Sequence, residues 1–150
     1  MQKIIVFMFL LFVISCSSLD GETASKTPYQ QYSSYFDALQ KNNYDDALGL
    51  MSNYNIDRFN DVKNDESFSY FFPFFSSVDS MIENEKDYYQ VFSKTKSCLT
   101  IIGISGNGDP VSINFELLYE SKVWKFNLIH VIYHGVSDEL PTSAACPKSP

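Results

Sequence analysis

The spacing of apolar residues changes once along this chain, and that change limits the folds open to it. Up to about position 84 apolar residues recur at three- and four-residue intervals, the period of a helix face; from about position 97 they alternate, the period of a strand. Tyr32, Tyr35, Phe36 and Leu39 predict a helix over 29–40. Lys41-Asn42-Asn43 breaks it, and Asn43 is placed to cap a second helix over 44–52, with Asp45 and Asp46 at its positive end and Ala47, Leu48 and Met51 inward. Residues 53–66 are polar and read as a loop. Over 67–84, Phe68, Phe71, Phe72, Phe75, Val78 and Ile82 hold helical phase, but Pro73 interrupts the run. Proline suits the first turn of a helix and not its interior, so the regular helix is expected to begin near Pro73, after a separate short turn.

The second half reads differently. Residues 98–104 are β-rich, and Gly106-Asn107-Gly108-Asp109-Pro110 is a turn cluster. Over 111–120, Val111, Ile113, Phe115, Leu117 and Tyr119 fall on one face, with Ser112, Asn114, Glu116 and Glu120 on the other. Ser121-Lys122 turns the chain into a third strand over 123–133, whose alternation puts Trp124, Phe126, Leu128, His130 and Ile132 on one face. Three strands with short turns make an antiparallel meander. Residues 88–92 read either as a further strand or as a helix end. Helices first and a meander after predict an α+β domain, with N-terminal helices packed on a curved antiparallel sheet.

That order, the opening "YFDALQKNNYDDALGLMS" and the closing strand "VWKFNLIHV" resemble the cystatin-like cone fold of the nuclear-transport-factor-two-like superfamily, and more narrowly its small bacterial lipoproteins. The resemblance covers about residues 29–135, and the remaining segment, 136–150, reads as an irregular tail. In this superfamily the inward sheet face lines a pocket, which implies a cavity ligand or substrate. The stretch "ALQKNNYDDAL" is also similar to one tetratricopeptide hairpin. A helical-repeat adaptor needs three or more such units, and no second copy is found in the sequence.

The N-terminus reads as an address. Met1-Gln2-Lys3 precedes an apolar run from Ile4 to Ile14. That run is about 11 residues, whereas a bilayer-spanning helix needs about 20. Val13-Ile14-Ser15-Cys16 resembles the lipobox read by the bacterial lipoprotein signal peptidase. The resemblance implies cleavage between Ser15 and Cys16, a diacylglycerol thioether on Cys16 and a fatty acyl chain such as palmitate on its new amine. Several chains together anchor stably where one binds only marginally. The expectation is a signal peptide over 1–15, a flexible tether over 16–28, and a protein held at the cell envelope. Ser17 in place of an inner-membrane retention Asp favours the periplasmic face of the outer membrane in a cell with two membranes.

Loss of residues 1–15 leaves 135 of the 150 residues, enough for one domain with a real core, and moves the formal charge from −7 to −8 as Lys3 goes. An acidic chain without basic runs argues against nucleic acid and against electrostatic docking to anionic lipid. Of the three cysteines, Cys16 is assigned to lipid; Cys98 and Cys146 remain, either paired in an oxidising compartment or as two separate thiols.

Few residues suggest chemistry. The two histidines, His130 and His134, are four apart on a strand and so share a face. Alternation puts His130 beside Trp124 and Phe126, either as a buried, hydrogen-bonded core residue or as part of a pocket with those two. No His/Cys/Asp cluster with metal-ligand spacing accompanies them, and no cofactor is expected. Gly103-Ile104-Ser105-Gly106-Asn107 lacks the closing glycine of a nucleophile elbow, and 57–66 lacks the spacing of a calcium loop. The aromatic block 68–75 is core or the wall of a hydrophobic pocket. No catalytic set is assigned. Three readings stand: a non-catalytic module binding an envelope protein or a small apolar ligand, a cone-fold enzyme using His130 on a small apolar substrate, and the repeat adaptor.

Overall fold

The computed structural model describes residues 25–62, 67–135 and 137–148. The expected signal peptide over 1–15, the expected cleavage site at Ser15–Cys16 and most of the expected tether over 16–28 lie outside the described residues. The first helix, α1 (Pro28–Gln40), starts at a complete capping box: Thr27 Oγ1 accepts the Gln30 N–H, and Gln30 Oε1 accepts the Thr27 N–H. Pro28 stands at its first position, where a missing N–H costs nothing. Asn42, with φ of 53°, turns the chain into α2 (Tyr44–Gly49), capped by Asn43 as its side chain accepts the Asp46 N–H.

Residues 53–61 form a helix, α3 (Asn53–Asp61), where the polar sequence reads as a loop. Its cap is Ser52, whose hydroxyl accepts the Asn55 N–H, and Ile56 and Phe59 supply the apolar contacts that hold it. The aromatic run then breaks into three single turns: α4 (Phe68–Phe71), α5 (Pro73–Ser76) and α6 (Val78–Met81). Pro73 opens α5, and the Ser76 and Ser77 hydroxyls donate to its carbonyl.

Four strands follow in one open sheet, ordered β1-β2-β3-β4 and antiparallel throughout: β1 (Asn84–Phe92), β2 (Lys96–Ile104), β3 (Pro110–Glu120) and β4 (Val123–Tyr133). The ambiguous segment at 88–92 is therefore the end of an edge strand. The protein is α+β, with helices on one face of a curved sheet. Two irregularities bend it, one in β1 between Glu85 and Asp87 and one in β4, where Asn127 is an extra residue between Phe126 (opposite Leu117) and Leu128 (opposite Glu116).

The core fills the space between helices and sheet. Leu99, Ile101, Ile113, Phe115, Leu117 and Phe126 meet Tyr32, Tyr35, Phe75 and Val78, all buried. Tyr35 packs against Phe126 and donates its hydroxyl to the Phe75 carbonyl at 2.8 Å, fixing α1 to α5. Gly103 is close-packed: a Cβ there would lie 2.7 Å from the Asn84 oxygen and from an Ile82 methyl. The free edge of β4 is paired at Phe126 by the α2–α3 connection, since Ser52 N–H donates to the Phe126 carbonyl and Phe126 N–H to the Leu50 carbonyl. Among the described residues no helix is long and apolar enough to cross a membrane.

Candidate ligand groove on the outer face of the sheet

The extra residue at Asn127 redirects the last strand. Before it, Trp124 and Phe126 face the core. After it the phase inverts: Ile129 and Val131 pack on the core, while Leu128, His130 and Ile132 line a groove on the outer face. Strict alternation predicts His130 inside with Trp124 and Phe126, and that pocket does not form. His130 is solvent-exposed on the side of the sheet opposite to those two aromatics. The cause is physical. Asn127 leaves the ladder because its side chain is used elsewhere, accepting from Ser52 Oγ at 2.9 Å and donating to Glu116 Oε1 at 2.9 Å. Asn55 Nδ2 clamps the same point, donating to the carbonyls of Phe126 and Asn127.

The outer face is polar and nonetheless covered. Ser112 is 0 % and Glu116 7 % exposed. The cover is the C-terminal segment, which crosses the sheet and is bonded to it. Cys98 and Cys146 form a disulfide with 4.7 Å between their Cα atoms. One residue earlier, the Ala145 N–H donates to Thr100 Oγ1, which donates in turn to Asn114 Oδ1 at 2.7 Å. Glu116 also pairs with Lys96 on β2. Each buried polar group named here thus has a partner, as burial requires. The described part of this segment, 137–148, holds no helix or strand and is a strap bonded to the sheet.

Strap and sheet enclose a groove of about 460 Å³ lined by Asn114, Leu128, His130, Ile132, Cys146 and Pro147. Both histidines lie on this face, as their spacing predicts. The His134 ring stands 2.8 Å from Ser112 Oγ, a contact that resembles half of a nucleophilic pair. Ser112 is sealed from solvent, and among the described residues no carboxylate is hydrogen-bonded to the His134 ring. Nor, among the described residues, do three His, Cys, Asp or Glu side chains gather as metal ligands.

Among the described residues the inner face is lined by apolar side chains and tyrosines. Its tyrosines are structural: burial first, and then the charges of Glu85 and Asp79, push the Tyr32 phenol well above its ordinary range, and burial does the same to Tyr35. At the rim, a hydrogen bond to Glu85 at 2.7 Å and then partial burial push Tyr29 up to about 12. The hydroxyls of Tyr29 and Tyr35 donate, to Glu85 and to the Phe75 carbonyl; a phenol held protonated does not serve as a base near neutral pH.

The aromatic block at 68–75 divides. Phe68, Phe72 and Phe75 are core, whereas Tyr70 and Phe74 are exposed. No protein-family model, curated protein or solved structure matches this chain.

Proposed function

We propose that this chain is a lipid-anchored envelope protein whose single domain is a non-catalytic binding module. The observation that carries the binding reading is the sealed interior: the inner sheet face, where a cone-fold enzyme would hold its substrate, is occupied by Tyr35, Phe115, Phe126 and their neighbours at full burial. The enzyme reading loses its acid–base residue with it, since His130 is on the other face and exposed. The repeat-adaptor reading does not suit a chain whose second half is a sheet. Resemblance to the cone superfamily remains a proposal that rests on element order and the α+β architecture.

The anchor rests on the lipobox at Val13-Ile14-Ser15-Cys16. The Cys98–Cys146 bridge supports export, because such bonds persist in oxidising compartments. The binding surface of this reading is the outer groove, apolar at Leu128 and Ile132 and polar at Asn114 and His130. Affinity capture from the native envelope tests it. The wild type retains a partner that Leu128→Asp loses while keeping its thermal midpoint. Equal capture by both proteins, or turnover of a small substrate lost in His130→Ala, would overturn the reading.

A further inference from the structure

The lysines are scattered in sequence, and the fold gathers four of them. The β1–β2 turn carries Lys94, Lys96 opens β2, the β3–β4 turn carries Lys122, and Lys26, whose ammonium donates to Ser34 Oγ, lies beside Lys94. Ser25 fixes the start of the described chain to the β3–β4 turn by donating to the Lys122 carbonyl. Among the described residues Glu116, paired with Lys96, and Glu120, accepting the Asn53 N–H, also lie at this end. Lys94 and Lys122 project into solvent. The other end of the strands carries Glu83, Glu85, Asp109 and Asp138 against Lys86, so among the described residues that end is the more acidic of the two.

The same end is apolar at its tip. Phe92, 55 % exposed, stands edge-on to Trp124 with ring centres 6.1 Å apart, and Tyr119 packs on the other side of Trp124. These three rings, together with Lys26 and Lys94, line a shallow mouth of about 250 Å³. Val91, next in the strand, is 56 % exposed. Aromatic rings bordered by lysines match the boundary between acyl chains and anionic headgroups.

We infer that this turn end, Lys94 and Lys122 around the Phe92–Trp124 mouth, is a second membrane contact that seats the domain on an anionic phospholipid surface. The inference deepens the lipid-anchor reading and rests on it for its geometry. Cys16 precedes Ser25 by 9 positions, so a lipidated Cys16 keeps Ser25, and with it this end, within about 30 Å of the bilayer. Lysine-rich end toward the lipid and acidic end away is also the orientation that charge favours. The absence of basic runs in sequence does not reveal this, because two turns and the chain start assemble the cluster.

The test uses the mature chain with Cys16→Ser, linker and its Asp20 and Glu22 included, so that its outcome does not depend on acylation. Trp124 is the only tryptophan and reports from the mouth. With phosphatidylcholine vesicles containing phosphatidylglycerol and brominated acyl chains, its fluorescence is quenched at low salt and recovers at about 1 M salt, where screening falls to about 3 Å. Each lysine near such a surface contributes about fivefold, so Lys94→Gln with Lys122→Gln weakens partitioning about 25-fold, while the matching arginine variants keep it. Phe92→Ser reduces quenching, and Asp109→Asn leaves it at the wild-type value. Quenching that is absent, or equal on purely zwitterionic vesicles, or indifferent to the double lysine variant, overturns the inference. Fatty-acid labelling of Cys16 separately decides the anchor.

Discussion

Two buried tyrosines on adjacent turns of α1 should respond to the same substitution with opposite sign. Tyr35 donates its hydroxyl to the Phe75 carbonyl at 2.8 Å inside the core. Tyr32 is as deeply buried, yet its hydroxyl is the one buried side-chain polar atom without a partner among the described residues. Tyr35→Phe removes a satisfied bond and strands a buried carbonyl, at a cost of about 1–2 kcal/mol. Tyr32→Phe removes a desolvated group that gains nothing in return, and should stabilise by up to about 1 kcal/mol. For a domain of this size about 1 kcal/mol moves the thermal midpoint by roughly 3–5 °C. The two variants should therefore bracket the wild type by several degrees, Tyr35→Phe below and Tyr32→Phe above. Urea unfolding of the oxidised protein, with m-values compared across all three, is the assay. A Tyr32→Phe protein that loses as much stability as Tyr35→Phe would refute the reasoning, since it would mean that the Tyr32 hydroxyl is bonded in solution.

The same structure carries three further expected outcomes. Breaking the bridge by Cys98→Ser should cost roughly 4 kcal/mol in the loop-entropy model for a separation of 48 residues, and non-reducing mass analysis of the wild type should show the two cysteines linked. His130→Ala should change stability by no more than about 0.5 kcal/mol, because the ring is exposed; a large loss by calorimetry would put it back in the core. Tyr29, held up to about 12 by Glu85 and partial burial, favours its neutral form in the folded state. Its contribution is complete below the ordinary value of 10.0 and is lost as pH rises through about 12, so alkaline unfolding should be less steep over that window in Tyr29→Phe.

How legible each segment is in the sequence depends on how strongly burial patterns it. Strand β3 has one face in the core and the other under the strap, so its alternation and its limits read directly. Helix α1 is written in its capping residues and its Tyr32-Tyr35-Leu39 stripe. Helix α3 is hidden because it buries little beyond Asn55 and the contacts of Ile56 and Phe59. Edge strand β1 is mostly exposed and bulged after Glu85, so it carries little period of either kind. The costliest misreading comes from a single residue. Alternation cannot register Asn127 as an extra residue, since its departure from the ladder depends on Ser52 and Glu116, 75 and 11 residues away. One slip reverses every later side chain, and with them the reading of His130. The groove was illegible for a related reason: half of its wall is the strap, whose course is set by Cys98–Cys146 and the Ala145–Thr100 bond.

The central claim is that Cys16 carries the protein to a membrane, and metabolic labelling with a fatty-acid probe tests it most directly. The wild type should incorporate the probe, partition into detergent and lose the mass of residues 1–15, with acylated Cys16 at the new N-terminus. Cys16→Ser should do none of these while keeping the Cys98–Cys146 bridge. Equal labelling of the two proteins, or a mature wild type with a free Cys16 thiol, would contradict the account.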